Sequence, residues 1–459
     1  MIRIFNHHFN ANGLVQMTFD FAFVLLTMLG FGAVYLHSAQ GVSITVPHSL
    51  SLAAWTFVVG NATGIYQPSS NRTSQQAMSR ALAAALLMLP LAYGIFSLIP
   101  EQVTNSVGMT YAAMGTVLVV IAHRALAGHF GKVVVMQSRI LVLGTGPVAK
   151  QVSESLLAAD PYARIVGFFP GPNERDLAVP QAQVLTSTAS LAVAAEQAGV
   201  DEIIVALSER RGGSMSLRAL LDCKISGILV SDISTHFEKR LGQIRLDYVN
   251  AGWLIFGEGF NQGFGRTAIK RVFDLLCGAA LLVLNLPLML LTVLAIAIDS
   301  RGPIFYRQER VGLNGKTFEV IKFRSMRCDA EEDGSPRWAQ AADDRVTRVG
   351  RLIRRVRIDE LPQLYNVLKG EMSMVGPRPE RPFFVESLTN DIPYYAIRHS
   401  VKPGVTGWAQ VRYEYGSTVE DARQKLQYDL YYVKNHSLFL DLLIMFETVS
   451  VVLTGRGAR

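Results

Sequence analysis

The chain has 459 residues, of which 50% are hydrophobic and 18% charged, and its formal net charge is +7 at pH 7. This length is enough for about two to four domains. The three cysteines, Cys223, Cys277 and Cys328, are widely separated, which argues against a disulfide framework and a zinc site and indicates a reducing compartment. The basic C-terminal third indicates anionic lipid or phosphorylated substrates. It carries no nucleic-acid recognition motif, so nucleic acid is not expected as a partner.

Four apolar segments near the N-terminus are each close to the ~20 residues needed to cross a bilayer. They lie at approximately 14–36, 50–66, 81–98 and 109–127. The loops 37–48 and 100–107 contain no Lys or Arg, whereas arginines flank the segments on the other side. The positive-inside rule therefore predicts a four-helix transmembrane bundle over residues 1–130 with both ends in the cytoplasm. The buried helical core of a soluble protein is the alternative.

Residues 139–250 are typical of a soluble, Rossmann-like (CoA-binding-like) α/β domain. Strand candidates at 139–143, 165–169, 202–207 and 227–230 alternate with helical segments, which favours a parallel sheet. The turn Gly144-x-Gly146-x-x-Ala149 is a weak dinucleotide fingerprint. No carboxylate stands directly after Phe169, where an NAD site needs one, so we interpret the domain as Rossmann-like in fold only. Nucleotide binding as a regulator stays open. A glycine-rich linker is predicted at 251–266.

The apolar run from Val272 to Ile298 is long enough for a fifth crossing. A crossing would place the basic residues that follow it outside the cell, against the positive-inside rule. Pro287 removes a backbone donor and bends a helix, and Asn285 can satisfy a backbone group that is freed. We therefore predict a re-entrant membrane helix over 271–299 that enters and leaves the same leaflet. A kinked spanning helix is the alternative.

Beyond residue 300, cations surround an adjacent pair of carboxylates. Asn314-Gly315 predicts a hairpin turn between strands at 304–312 and 317–326, which puts Lys322 and Arg324 on one strand face. Apolar spacing predicts a helix over 345–357 that carries several arginines, including Arg354. A solvated strand face is the alternative for Lys322 and Arg324 by themselves.

Asp359 and Glu360 follow that helix and favour phosphoryl transfer. An ionised aspartate can attack phosphorus, and a second carboxylate can hold Mg²⁺. Arginines bind phosphate oxygens through a planar fork, and the prolines on either side of Arg378 hold its backbone in a fixed direction. A salt-bridged helix surface is the alternative.

Seven short motifs resemble, in order, the bacterial sugar transferase family, also described as polyprenyl-phosphate hexose-1-phosphate transferases or monotopic phosphoglycosyl transferases. They lie at 306–312, 322–326, 359–364, 366–374, 376–380, 402–410 and 429–435. The resemblance implies an α/β catalytic domain over 267–459. The whole chain is similar to the large members, which prime exopolysaccharide or capsule synthesis.

The resemblance implies that Asp359 is the nucleophile and Glu360 the ligand of a Mg²⁺ cofactor. Lys322, Arg354 and Arg378 match positions that contact phosphate or hold the site, and Pro287 matches the proline that turns the re-entrant helix. Arg357 stands where relatives usually have a small polar residue.

The implied reaction transfers a sugar 1-phosphate from a UDP-sugar to undecaprenyl phosphate, through a phosphosugar on Asp359, and releases UMP. The implied location is the bacterial inner membrane, in contact with lipid, with the catalytic domain facing the cytoplasm. A homodimer is a further hypothesis. Trp408, Tyr413 and Tyr415 are predicted to dock the domain on the membrane, and the acidic residues Asp441 and Glu447 favour an interfacial helix over 438–453.

Two other functions stay open. A membrane-bound nucleotide-sugar oxidoreductase or epimerase would use the α/β domain, although that domain lacks both the acidic residue after Phe169 and a Tyr-x-x-x-Lys pair. A non-catalytic scaffold for polysaccharide export would use the basic surface to hold anionic lipid.

Overall fold

The structure is a computed structural model that describes part of the chain. The described residues are 2–4, 7–9, 18, 20–27, 29, 49–56, 59, 84, 88, 94, 138–160, 163–171, 174, 177–185, 190–207, 217–249, 259–260, 263–327, 345–413, 416 and 418–454. The four predicted membrane spans lie mostly outside these ranges, although residues 20–27 and 49–56 are helical. Two short strands, β1 (Ile2–Ile4) and β2 (His7–Phe9), come first.

The chain divides into two compact units, Met1–Ile4 with His8–Tyr248, and Phe5–His7 with Val249–Arg459. The first unit contains a four-stranded parallel sheet, as predicted. Its strands are β3 (Ser138–Leu143), β4 (Ala163–Phe169), β5 (Glu202–Val205) and β6 (Leu229–Asp232), in the spatial order β4-β3-β5-β6. Its helices are α1 (Pro147–Ala159), α2 (Leu191–Gln197), α3 (Leu217–Ile225) and α4 (Ile233–Leu241).

Helices pack on both faces of this sheet. Successive residues of β3 point to opposite faces, so alternate residues contact different helices. Ile140 and Val142 pack with residues of α1 and α4, whereas Leu141 and Leu143 pack with residues of α2 and α3. A strand that is buried on both faces reads as a continuous apolar run, as 140–143 does.

The turn after β3 holds a carboxylate of its own chain. Gly144 has φ +134°, and a Cβ atom there would lie 2.6 Å from the Ala206 carbonyl oxygen, so only glycine fits. The backbone amides of Thr145 and Gly171 donate to Glu174 Oε2 at 2.6 and 3.4 Å. No carboxylate stands directly after Phe169 in the sequence, but the Glu174 side chain folds back and fills this turn.

The second unit begins with one long helix, α5 (Phe264–Asp299). The hairpin β7 (Phe305–Val311) and β8 (Thr317–Phe323) follows, and its antiparallel register pairs Phe305 with Phe323. Positive φ values at Asn314 and Gly315 confirm the predicted turn. The remaining elements are α6 (Arg348–Arg355), α7 (Gln363–Lys369), β9 (Ser373–Val375), α8 (Pro382–Asp391), β10 (Gly404–Thr406), α9 (Trp408–Arg412), α10 (Val419–Asn435) and α11 (Leu438–Thr454).

Among the described residues, α5 is the one helix long and apolar enough to cross a membrane. It continues through Pro287 as a single helix. Asn285 Nδ2 donates to the Leu281 carbonyl at 2.8 Å, whereas the carbonyl that Pro287 leaves without its helical donor is that of Val283. The prediction that Asn285 satisfies the freed group was therefore wrong.

Both ends of α5 pack on the rest of the second unit, while its middle is exposed. Near the N-terminus, Asp274 Oδ1 accepts from Ser373 Oγ and from the Met374 amide at 3.0 and 3.1 Å. Near the C-terminus, Ile296 packs in a cluster with Phe323 and Ile353. The residues between these ends include several exposed leucines and valines: Val283, Leu284, Leu290, Leu291 and Leu294.

One residue that was predicted to dock on the membrane is buried within the protein. Trp408 is only 1% exposed and stacks on Tyr431, with ring centroids 5.9 Å apart, so its predicted docking role was wrong. Tyr413 donates to Asp421, and Tyr415 lies outside the described residues. Asp441 and Glu447 on α11 are buried against the protein rather than facing water.

Candidate active site

A cavity of about 520 Å³ lies within the second unit. It is bordered by β7, β8, the end of α6, the segment 376–381, α9 and α10. All six catalytic and phosphate-binding residues predicted from the sequence line it: Lys322, Arg324, Arg354, Asp359, Glu360 and Arg378. The fold thus brings together side chains that are up to 56 positions apart in the sequence.

The carboxylate pair lies in a tight connection between α6 and α7. The Thr347 hydroxyl accepts from the Gly350 amide at 2.9 Å and begins α6. Arg357 then reverses the chain with φ 60° and ψ 17°, a conformation that is rare for a residue other than glycine. A single 3₁₀ turn, Ile358–Glu360, carries both carboxylates, and Pro362 leads into α7.

Glu360 is the centre of a cationic cluster. Its Oε1 lies 2.8 Å from Arg378 Nη2, 3.1 Å from Lys322 Nζ and 3.7 Å from Arg357 Nη1. Burial alone would raise the pKa of Glu360, but Arg378 and Lys322 hold that pKa well below its usual value. Glu360 is therefore ionised throughout the physiological range.

Asp359 has the opposite character. Burial, and then the adjacent charge of Glu360, raise the pKa of Asp359 to about 6. Among the described residues, its buried Oδ1 has no hydrogen-bond partner. A buried polar atom without a partner is uncommon and calls for an explanation, which a bound substrate or ion can supply. Above pH 6, the Asp359 side chain is an ionised carboxylate, and Oδ1 has lone pairs available for attack.

Lys322 is held in place by β8. Burial lowers its pKa, and the charge of Glu360 offsets part of this effect. The Asn366 side chain fixes the strand: it accepts from the Ile321 amide at 3.1 Å and donates to the Glu319 carbonyl at 2.7 Å. Asn366 lies in one of the seven motifs, but no role for it was predicted from the sequence.

The predicted phosphate-binding residues Arg324 and Arg354 have different surroundings. Arg324 follows the last residue of β8, and its Nη2 donates to the carbonyl and hydroxyl oxygens of Ser300 at 2.7 and 2.8 Å. Its Nη1 donates to the Arg301 carbonyl. Arg324 therefore holds the exit of α5 as well as lining the cavity. Arg354 lines the cavity from the last turn of α6.

The donor set is compatible with Mg²⁺ but not with a closed protein cage. The described residues contain no group of three or more His, Cys, Asp or Glu side chains suited to a metal. Mg²⁺ is usually bound by one or two carboxylates together with waters and substrate phosphates. Two adjacent carboxylates, one with a buried unpartnered oxygen, fit that pattern.

The sequence is similar to a known family and to several named proteins. The sequence model of the bacterial sugar transferase family matches residues 265–455, and that of a CoA-binding domain matches residues 61–217. A UDP-glucose:undecaprenyl-phosphate glucose-1-phosphate transferase of Xanthomonas campestris pv. campestris is 32% identical over 408 residues, covering 83% of this chain and 82% of that protein. The protein of the same name from Klebsiella pneumoniae is 32% identical over 340 residues, covering 71% and 70%.

A UDP-N-acetylgalactosamine-undecaprenyl-phosphate N-acetylgalactosaminephosphotransferase of Aeromonas hydrophila has higher identity over a shorter region. It is 44% identical over 242 residues, covering 53% of this chain. This chain spans only 56% of that relative's length. The two longer matches nevertheless extend over most of both proteins. The chain therefore belongs to the bacterial sugar transferase family, as the sequence motifs predicted.

Proposed function

We infer that this protein transfers a sugar 1-phosphate from a UDP-sugar to undecaprenyl phosphate and releases UMP, as the first step in building a surface polysaccharide. The observation that carries this proposal is the pair Asp359 and Glu360, placed together in a cationic cavity with opposite pKa shifts. The named relatives, which act on UDP-sugars and undecaprenyl phosphate, support the same reaction.

In the first half-reaction, Asp359 attacks the phosphorus that carries the sugar. A new oxygen–phosphorus bond forms while the bond to the bridging oxygen breaks, and UMP leaves with the electron pair. Lys322 and Arg378 approach Glu360 and face the same cavity, so they can neutralise the charge of the diphosphate. In the second half-reaction, a phosphate oxygen of the acceptor attacks the phosphosugar and releases the Asp359 carboxylate.

Glu360 is the residue that would hold Mg²⁺. Its carboxylate is buried and ionised among three cations, whose closest approach is to Oε1, and it lies next to Asp359 at the cavity. When bound, Mg²⁺ supplies positive charge that stabilises the phosphate oxygens during transfer. Independently of the metal, Glu360 orients Lys322 and Arg378 toward the reacting phosphorus.

We also propose that α5 is a re-entrant membrane helix. The hydrocarbon core of a bilayer is about 30 Å thick, so the two ends of a spanning helix lie on opposite sides of it. Asp274 and Asp299, near the two ends of α5, both bond to backbone amides of the second unit, those of Met374 and Val349. The exposed apolar middle would then enter one leaflet, which brings a lipid acceptor to the cavity. The multi-pass bundle of residues 1–130 and its cytoplasmic orientation belong to the same proposal.

The two alternative functions are not favoured. The names of the relatives describe sugar-phosphate transfer rather than oxidation, epimerisation or export. In the α/β domain, Glu174 occupies the amides that a dinucleotide phosphate would need.

The test is UMP release from a panel of UDP-sugars, with Mg²⁺ and undecaprenyl phosphate, by the full chain and its Asp359→Asn variant. We expect release with a restricted set of sugars and a loss of about 10⁴-fold or more in the variant, because an amide is a poor nucleophile. Without acceptor, the intact mass of the wild type should increase by one sugar phosphate. Release that survives in Asp359→Asn would contradict the assigned nucleophile, and no release from any donor would contradict the reaction.

A further inference from the structure

The segment that carries Arg378 is held by its backbone at four successive carbonyl oxygens. The Gly404 amide donates to Pro377 at 3.0 Å, and the Val311 amide donates to Glu380 at 2.9 Å. Between them, two arginine side chains donate to backbone: Arg398 Nη2 to the Arg378 carbonyl at 2.9 Å, and Arg310 Nη1 to that of Pro379 at 3.2 Å. The two prolines restrict this segment, and the four hydrogen bonds decide where it lies.

Arg398 is itself held by two neighbouring side chains. Its Nε and Nη2 lie 3.0 and 2.8 Å from Asp429 Oδ2, and its Nη1 donates to the Tyr395 hydroxyl at 2.8 Å. The side chains of Arg398 and Asp429 are only 5% and 2% exposed. A buried arginine whose carboxylate partner is equally buried adds little net charge to the cavity.

This arrangement differs from that of the arginines that can bind substrate. The nitrogens of Arg398 are all directed to protein oxygens, and Nη2 donates to the Arg378 carbonyl rather than facing the space for a substrate. The other end of Arg378, its Nη2, lies 2.8 Å from Glu360 Oε1. A fixed carbonyl at one end and a fixed guanidinium at the other determine the direction of this side chain.

We propose that Arg398, held by Asp429, is a positioning residue that acts through Arg378 and aims its guanidinium at the diphosphate of the donor. This proposal rests on the proposed function, because it assigns Arg378 to the phosphate. It also gives the C-terminal motif at 429–435 a role in the site, since Asp429 lies more than fifty residues from Arg378 in the sequence.

A double-mutant cycle on the full chain tests the proposal, with kcat/KM for UMP release as the readout. Arg398→Lys keeps the positive charge but replaces the planar guanidinium by a single ammonium group. That group cannot bond both Asp429 and the Arg378 carbonyl in the same way. We expect it to lower kcat/KM by about 10- to 100-fold, since small displacements of a catalytic group have effects of this size. In an Arg378→Ala background, which keeps the carbonyl but removes the guanidinium, Arg398→Lys should lower kcat/KM by less than about threefold.

Equal losses in both backgrounds would overturn the proposal, because Arg398 would then act on substrate or on the fold independently of Arg378. Arg412→Lys is the matched control. Arg412 Nη2 forms a comparable ion pair with Glu447 Oε1 at 2.6 Å, without a hydrogen bond to residues 377–380 in the described structure. We expect this control to be within about threefold of the wild type.

Hydrogen–deuterium exchange tests the same idea without activity. The amides of Gly376, Arg378 and Glu380 should exchange faster in Arg398→Lys than in the wild type or Arg412→Lys. Unchanged exchange in this segment would also overturn the proposal. If the wild type releases no UMP from any donor, the proposed function fails, but the exchange measurement still decides whether Arg398 fixes the Arg378 segment.

Discussion

The two units of this protein treat negative charge in opposite ways. In the first unit, the turn after β3 has backbone amides suited to a phosphate, but Glu174 of the same chain already accepts from Thr145 and Gly171. In the second unit, Lys322 and Arg378 converge on Glu360, and a cavity of about 520 Å³ remains beside them.

The difference shows why a motif alone does not establish a site. The glycine-containing turn and the carboxylate pair are both typical of phosphate chemistry in the sequence. The amides of the turn after β3 already donate to Glu174, so a ligand must displace that carboxylate to bind there. The other arrangement leaves the buried Asp359 Oδ1 without a partner among the described residues, and a ligand would remove that cost.

Among the variants that test this contrast between the two units, Glu360→Gln should have the largest effect. The amide removes the charge that holds Lys322 and Arg378 in place, and it weakens any metal ligation. We expect kcat for UMP release to fall by about 10²- to 10⁴-fold. The control is Glu319→Gln, a surface carboxylate that lies 3.7 Å from Arg307, for which we expect no measurable loss. A Glu360→Gln variant with activity near that of the wild type would mean that the cluster is only structural.

Removal of the internal carboxylate from the first unit should have a smaller effect, and on stability rather than turnover. Glu174→Ala leaves two amides without their acceptor, so we expect a loss of about 1–3 kcal/mol in the unfolding free energy of that unit. Inorganic phosphate should restore part of this loss in thermal unfolding, while UMP release stays unchanged. Glu154→Ala, at an exposed position on α1, is the control. If the wild type bound nucleotide as tightly as Glu174→Ala does, Glu174 would not block this turn. The contrast between the two units would then be lost.

The smallest effect concerns the pH dependence of the proposed nucleophile. If Asp359 attacks the donor, it must be ionised to do so, and kcat/KM for the UDP-sugar should fall tenfold per pH unit below about pH 6. Arg357 lowers the pKa of Asp359, after the larger effects of burial, Glu360 and Lys322. Asparagine tolerates a positive φ, so Arg357→Asn should keep the turn. It should therefore raise the apparent pKa below which kcat/KM falls by on the order of half a unit. An apparent pKa that is unchanged or lower in Arg357→Asn would show that Arg357 does not act on Asp359.

Local patterns predicted much of the fold. Continuous apolar runs predicted the strands of the parallel sheet, and Asn314-Gly315 predicted the β7–β8 turn, because both depend on neighbouring residues. The helical spacing at 349–356 predicted α6, although the strained Arg357 that ends it was not foreseen. Five of the six predicted cavity residues lie in the short motifs, and Arg354 was found on the predicted helix that precedes Asp359.

Long-range partners explain the errors. An aromatic such as Trp408 is typical of a membrane interface, but here it is buried against Tyr431. The acidic residues of α11 favoured an interfacial helix, yet both are buried in ion pairs: Asp441 Oδ2 lies 2.9 Å from Lys270 Nζ, and Glu447 pairs with Arg412. In each case the decisive neighbour is distant in sequence, so no local pattern could reveal it.

The sequence by itself identified the family and the carboxylate pair and predicted the reaction class, because these depend on residue types at short, characteristic spacings. Only the tertiary structure decided which carboxylate is strongly ionised and which has a pKa near 6, since burial and the positions of Arg378 and Lys322 set that difference. It also decided that Glu174 accepts from the amides of the turn after β3 and that Arg398 donates to the Arg378 carbonyl. Charges and hydrogen bonds act over a few ångströms in space, and folding determines which residues come within that distance.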